Sequence, residues 1–305
     1  MTINQRIGQD AVASKGWLAA YKWLLLRRFI QLAILGLFLA GPLAGIWIVK
    51  GNLTSSLTLD FLPLTDPYVL LQSLAAGHSL GLTALTGAAI ILVFYALVGG
   101  RVYCAFVCPM NVVTDAARWL SRRLDIGKGW VPPREVRLWL LGATLLTALI
   151  SGTLAWELIN PVSILHRSLV FGFGYAWTMV LAVFLFDLLV SRNGWCGHIC
   201  PVGAFYGLLG AFSLIRVSAG KREQCNDCMD CFAVCPEPHV ITPALRGAKS
   251  GTGPIIVSRD CTNCGRCIDI CSENVFTFDL RFNNQTPTLS VGVEASSTPS
   301  TRKAA

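Results

Sequence analysis

Cys225-Asn-Asp-Cys228-Met-Asp-Cys231-Phe-Ala-Val-Cys235-Pro236 has the spacing C-x2-C-x2-C-x3-C-P, and Cys261-Thr-Asn-Cys264-Gly-Arg-Cys267-Ile-Asp-Ile-Cys271-Ser272 repeats it with Ser in place of the proline. This is the run of bacterial ferredoxins: three closely spaced thiolates wrap one face of a 4Fe–4S cube, and the fourth ligand comes from the other run. The spacing therefore predicts two 4Fe–4S clusters. Cys225, Cys228, Cys231 and Cys271 hold one; Cys261, Cys264, Cys267 and Cys235 hold the other. Zinc sites pair two C-x2-C units and do not use this triplet. Disulfides would not persist on the cytoplasmic side, where charge places this region. Ser272 removes a proline but no ligand. Two adjacent clusters make a wire for single electrons, on a dicluster ferredoxin-like α+β domain over residues 216–282.

The rest of the chain has a different composition. Of 305 residues, 14% are charged and the mean hydropathy is +0.57, against about 25% charged in soluble domains. That much apolar surface implies an α-helical integral membrane protein. Four stretches have the length and apolarity of transmembrane helices: 29–49, 80–100, 138–156 and 169–190, the last carrying Asp187. The 202–215 run would reach about 21 Å as a helix, short of the roughly 30 Å hydrocarbon core, and is expected to lie at the interface. The 61–76 segment, interrupted by Pro63, Asp66 and Pro67, is expected at the membrane surface. The membrane domain thus covers 29–215, between a 1–28 tail and a flexible 283–305 tail. No cleavable signal peptide is evident in the polar first 28 residues.

Lys and Arg counts along the tail, three loops and C-terminal region run 5, 1, 7, 1 and 11. The positive-inside rule then places both termini and the middle loop in the cytoplasm. The net charge of +8 matters mainly for this topology. No P-loop, Gly-x-Gly-x-x-Gly after a strand, or Cys-x-x-Cys-His occurs, so neither nucleotide chemistry nor attached c-type haem is encoded, and no nucleic-acid partner is expected.

The membrane part is duplicated. Cys104-x3-Cys108-Pro109 and Cys196-x3-Cys200-Pro201 are offset by 92 residues, and Asp66-Pro67 upstream corresponds to Asn160-Pro161. Each half reads as helix, Asx-Pro segment, helix, Cys-x-x-x-Cys-Pro. At i, i+4 both thiols of a pair share a helix face, and the proline ends or kinks that helix. The four cysteines are candidates for a further metal centre or for redox-active thiols; buried packing cysteines are the alternative. His198 is either a ligand or a surface or capping residue. Asp187 is a functional candidate as an intramembrane carboxylate, or else a partner of Arg192. Quinol oxidation releases two protons, so Glu157, His166 and His78, near the membrane in the other loops, are candidate acceptors or solvated loop residues.

Taken together, GWLAAYKWLLLRR, LTDPYVLLQSLAAGH, the two C-x3-C-P motifs, WELINPVS, FLFDLLV, GWCGHICPVGA and CNDCMDCFAVCPEPHV resemble the NapH family over nearly the whole chain. These are the ferredoxin-type quinol dehydrogenase membrane components of periplasmic nitrate reductase systems. The resemblance implies a multi-pass protein of the bacterial inner membrane, a quinol dehydrogenase subunit acting within a complex. It implies quinol as substrate and the periplasmic iron–sulfur protein NapG as partner, with a membrane-anchored cytochrome c as a further candidate. Two related plans fit less well. A nitrous-oxide-reduction regulator carries a large flavin-binding domain ahead of its spans, where 28 residues stand here; a copper-oxidase assembly factor carries a β-sandwich after the ferredoxin part, where 34 residues follow Cys271. A non-catalytic redox-sensing anchor is the alternative of a different class.

Overall fold

A computed structural model describes residues 7–126, 129–172 and 176–283. Of the expected 283–305 tail, all but Asn283 lies outside the described residues. Two short helices, α1 (Gln9–Lys15) and α2 (Trp17–Ala20), lead into the long α3 (Lys22–Ala44). An antiparallel meander follows, β1 (Val49–Gly51), β2 (Ser55–Thr58) and β3 (Leu62–Thr65), with Val49 opposite Thr58 and Leu57 opposite Pro63. Next come α4 (Pro67–Ala75), α5 (Leu82–Val98), a π-helical turn at Tyr103–Val107 and α6 (Met110–Arg123). The second half runs α7 (Val136–Ser151), α8 (Ala155–Ile159), α9 (Pro161–Phe171), α10 (Ala176–Leu185), π-turns at Phe186–Val190 and Trp195–Ile199, and α11 (Pro201–Gly210). The C-terminal part has β4 (Ile215–Ser218) paired antiparallel with β5 (Thr277–Leu280), around α12 (Asp230–Val234), α13 (Ile241–Arg246) and α14 (Arg266–Ile270).

Among the described residues one helix, Lys22–Ala44, is long and apolar enough to cross a membrane; Leu82–Val98, Val136–Ser151, Trp177–Val190 and Pro201–Gly210 are apolar but shorter. Several boundaries differ from the apolar runs, because backbone geometry ends helices where hydropathy continues. Gly45, left-handed at φ 72°, ends α3, so Val49 joins a strand. Gly152 (φ 65°) ends α7, and Trp156 falls in α8. Gly172 (φ 98°) ends α9, so residues 169–171 belong to that helix and not to the one carrying Asp187. At the other end, α3 begins seven residues early. Its first turn lacks a local cap, and Asp269 of the ferredoxin part supplies one, accepting from the Trp23 and Leu24 amides at 3.1 and 2.9 Å. A carboxylate there satisfies orphan donors and complements the helix dipole.

The 61–76 segment is structured and half-buried, with Phe61 and Leu74 exposed. Pro63 sits within β3, and Asp66-Pro67 forms the N-cap and first turn of α4, an arrangement proline favours. Asp66, Tyr68 and Gln72 are buried. In the 202–215 run, α11 buries Val202, Ala204, Tyr206 and Gly210, while Phe212 just beyond it is exposed. The halves interlock. Tyr68 of α4 packs on Phe205 of α11 with ring centroids 5.7 Å apart, while Val162 and Leu165 of α9 share a core with Met110 at the start of α6.

Candidate functional site

The two ferredoxin runs are 36 residues apart at every cysteine (225 and 261, 228 and 264, 231 and 267, 235 and 271), and their backbones match. Asp227 and Met229 are left-handed in the first, and Asn263 and Gly265 in the second, so each C-x2-C-x2-C run curls the same way. A short helix, α12 or α14, then carries the third cysteine. Gly265 has a second reason to be glycine: a Cβ there would meet Trp23 of α3 at 2.5 Å. Met229, its counterpart, is 44% exposed. The turn of the second run thus packs on α3, while the corresponding turn of the first is open at Met229.

Two small cavities lie in this domain. One is lined by Cys225, Cys228, Cys231 and Cys271. The other is lined by Cys235, Cys261, Cys264 and Cys267. The fourth cysteine of each run lines the other run's cavity. Among the described residues no three His, Cys, Asp or Glu side chains converge closely enough for one metal ion. Four thiols around each cavity are a donor set whose chemistry suits an iron–sulfur cluster. Cys264 is also prepared for the thiolate form: burial alone would raise its pKa, yet the Arg266 and Arg27 guanidiniums bring it below the ordinary thiol value.

Buried arginines dock this domain onto the C-x3-C-P segments. Arg101, 2% exposed, donates to the Asp260 carbonyl (2.7 Å) and to the Cys196 carbonyl (3.0 Å), and lies 3.5 Å from Glu237. One guanidinium therefore joins the residue before Cys261 to a C-x3-C-P cysteine. Arg137 donates to the Gly197 carbonyl at 3.2 Å and pairs with Asp260. Arg118 donates to the Val234 carbonyl, next to Cys235, at 2.8 Å and to Asn193 Oδ1 at 2.6 Å. Asp115 is held by Arg28, Arg266 and Arg118. Burial works against that carboxylate's ionisation, but Arg266 and Arg118 win and bring its pKa down to about 2.

Each C-x3-C-P pair is carried by a π-turn rather than an α-turn: the Cys108 amide bonds to Tyr103 O (3.0 Å), and the Cys200 amide to Trp195 O (2.9 Å), five residues back. A π-turn still stacks i and i+4, and Pro109 and Pro201 follow as the chain leaves it. The pairs converge. Burial first, and then Cys104 and Cys200, push the Cys108 thiol upward; burial, Asp187 and the other three thiols do the same for Cys196.

A cavity of about 330 Å³ lies between the meander and the first π-turn, lined by Phe38, Thr58, Asp66, Tyr95, Tyr103 and Tyr206 among others. Asp66 Oδ1 accepts from the Tyr68 amide at 2.9 Å and the Tyr206 hydroxyl at 3.1 Å. Tyr103 and Tyr206 stack at 4.6 Å. In the sequence Asp66 stands out as a repeat marker and as an interruption of the 61–76 segment, not as part of a site. The available signal was that an ionisable residue in one half stands where the other has Asn160.

The remaining candidates are scattered. Asp187 is fully buried; Oδ1 accepts from the Trp195 amide at 2.9 Å, and Oδ2 has no partner among the described residues. It does not pair with Arg192, which bonds to Ser121 and the Ile126 carbonyl. Glu157 accepts from Asn160 and Ser163 at 2.9 and 2.7 Å. His166 stacks edge-on against Phe38 at 5.9 Å. His198 is buried rather than on the surface, its Nδ1 without a partner. His78 is exposed.

A family model described as a 4Fe-4S binding domain matches residues 80–127 and 173–220, the two C-x3-C-P segments, and one described as a 4Fe-4S dicluster domain matches 224–275. The ferredoxin-type protein NapH of Escherichia coli K12 is 53% identical over 91% of this chain and 96% of its own length. The methylamine utilization ferredoxin-type protein MauN of Paracoccus denitrificans is 56% identical over 92% of this chain and 98% of its own. NapH of Haemophilus influenzae is 48% identical over 91% and 96%. No solved structure matches. The chain is therefore an iron–sulfur protein with 4Fe–4S binding domains, and it belongs to the family of ferredoxin-type proteins that includes NapH and MauN.

Proposed function

We propose that this chain is the membrane-bound quinol dehydrogenase component of a periplasmic nitrate reductase system, relaying electrons from quinol with the periplasmic iron–sulfur protein NapG. A membrane-anchored cytochrome c is a further partner in this reading. The observation that carries it is one connected path. Tyr103 and Val107 of the cavity lining flank Cys104 in the first C-x3-C-P turn, and Arg101 bridges Cys196 to the residue before Cys261 in the Cys235, Cys261, Cys264 and Cys267 cradle. In this reading the two cradles each hold a 4Fe–4S cluster, and Cys104, Cys108, Cys196 and Cys200 hold a further metal or cycle as dithiols. Bound clusters supply one-electron redox chemistry. The protein's own residues position them: Arg101, Arg118 and Arg137 lock the domain at a fixed distance, and Arg27 and Arg266 offset the negative charge around Cys264.

The girdle of the helical part supports a membrane setting with four spans built on α3, α5, α7 and α10. Phe29, Leu32, Trp139 and Ile150 are each 68% exposed or more, which water would penalise and lipid would not. The second reading is electron transfer in methylamine utilization, favoured by the MauN identity of 56% beside the NapH identity of 53%.

The test is anaerobic reduction of full-length purified protein by a defined quinol, followed by EPR. Reduction of 4Fe–4S signals by quinol supports the reading. Clusters that respond to dithionite but never to quinol would reject it and leave a redox-sensing anchor. Iron analysis should show about eight Fe per chain from the cradles, and a higher value if the membrane-face cysteines hold iron too. Nitrate-dependent against methylamine-dependent growth of a deletion strain separates the two pathways.

A further inference from the structure

Resting on the quinol reading above, we propose that the cavity between the meander and the first π-turn is where the quinol ring is oxidised, that Asp66 is its proton acceptor, and that the protons leave on the meander side while the electrons leave toward the ferredoxin domain.

The cavity has the size and character of a small-ring site. Its volume of about 330 Å³ falls in the range of ligand pockets, and its walls are mostly apolar with a few convergent polar groups. Ile34, Leu37 and Phe38 on α3, with Ile91 on α5, form an apolar wall for the ring and the start of an isoprenoid tail. Tyr95, Tyr103 and Tyr206 bring aromatic faces and hydroxyls. Asp66 is the carboxylate in that lining.

The carboxylate is set up to receive a proton. Both hydrogen bonds it accepts from described residues end on Oδ1, leaving Oδ2 with none. The groups facing it are Tyr206 on α11, Tyr95 on α5, Tyr103 and Cys104 on the π-turn, Tyr68 on its own helix and Glu157 on α8. None of these is a cation. Burial therefore raises the Asp66 pKa to about 6, the Tyr68 and Tyr206 hydrogen bonds notwithstanding. A base with a pKa near the working pH is suited to proton transfer.

The two products leave by different sides. On the inner side of the cavity, Tyr103 adjoins Cys104, and Arg101 continues to the proximal cradle. On the other side, Ser56, Thr58 and Thr65 of the meander line the cavity. The meander belongs to the loop that charge places opposite the ferredoxin domain. Quinol loses two electrons and two protons. Each O–H bond breaks with its proton going to the Asp66 carboxylate and on past Thr58, and clusters bound in the two cradles would accept the two electrons one at a time. Quinol is thereby oxidised to quinone, with positive charge moving outward as negative charge moves inward.

The experiment uses full-length protein in liposomes, ferredoxin domain outward, with ubiquinol or menaquinol in the bilayer, ferricyanide outside and a pH dye in the lumen. Wild type should acidify the lumen as ferricyanide is reduced, with a rate that declines as the pH falls through about 6. Asp66→Asn keeps the helix cap, as Asn160 does in the other half. It should slow quinol-driven reduction at least ~100-fold and flatten the pH profile, while dithionite reduces the clusters as in wild type. Asp66→Glu should restore part of the rate. Protons appearing outside instead of in the lumen, or a wild-type rate and pH profile in Asp66→Asn, would overturn the proposal while quinol oxidation itself stands. Wild type that quinol never reduces would overturn both.

Discussion

The two halves of the helical domain share a backbone and differ in a few side chains. Asp66 and Asn160 make the same cap, to Tyr68 N at 2.9 Å and Val162 N at 3.1 Å, and both are followed by Pro. Both C-x3-C segments are π-turns. Yet at the 92-residue offset Arg101 stands opposite Asn193, Thr114 opposite Tyr206, and Asp115 opposite Gly207. One crevice joins Asp66 of the first half to Tyr206 of the second beside a cavity. In its counterpart, Met110, Val162, Leu165, Val180 and Val183 pack together as core. Duplication supplies a symmetric scaffold with cysteines at matched depth, and a handful of asymmetric polar residues decides which crevice is open and where the ferredoxin domain docks.

The sharpest way to break this comparison is through what the halves still share. If the four cysteines act as one unit, Cys104→Ser and Cys196→Ser should each abolish most quinol-driven cluster reduction. The Cys104→Ser/Cys196→Ser double variant should be no worse, since residues acting together are not additive. Stopped-flow reduction with EPR on the same samples checks this, and wild-type rates in all three would make these cysteines packing residues. Where the halves differ, effects should be unequal. Arg101→Gln strips a buried charge network and should cost about 3–5 kcal/mol of stability. Asn193→Ala loses hydrogen bonds to Arg118 and the Pro236 carbonyl and should cost about 1–3 kcal/mol. Denaturant titration in detergent measures both, and equal costs would contradict the asymmetric docking.

Asp115 offers a pH test. Its folded pKa of about 2 lies below the ordinary 3.8. The stabilisation is therefore full above the ordinary value and is lost as pH falls through about 2, amounting to about 2 kcal/mol. Asp115→Asn should remove that acid-side slope in thermal melts taken from pH 5 to pH 2. Asn160→Asp keeps the cap but replaces the amide that donates to Glu157 at 2.9 Å with a second carboxylate, so it should cost about 1–3 kcal/mol with quinol oxidation unchanged. A wild-type melting temperature would show that the second crevice accepts the charge that the first one carries at Asp66.

The ferredoxin domain was legible because its chemistry is local. Three of the four cysteines around each cavity sit within six residues of one another, and left-handed turns recur at fixed positions in both runs, so each triplet is readable from spacing. The duplication was legible because cysteines and prolines are rare enough to mark register. Helix ends were less so: hydropathy reads through Gly45, Gly152 and Gly172, where backbone conformation stops the helix. Asp66-Pro67 looked like an interruption in a surface segment because a cap and a breaker share the same residues.

What the sequence by itself determined was the ligand chemistry, the repeat and the apolar character, since each depends on residue type and short spacing. Only the tertiary structure decided that α4 of one half meets α11 of the other, that Arg101 spans from Cys196 to Asp260, and that Asp269 caps a helix some 245 residues away. Those contacts join residues far apart in the chain, and no local pattern encodes them. They arise because buried carboxylates, guanidiniums and helix ends must find partners once water is excluded, and packing determines which partners are within reach.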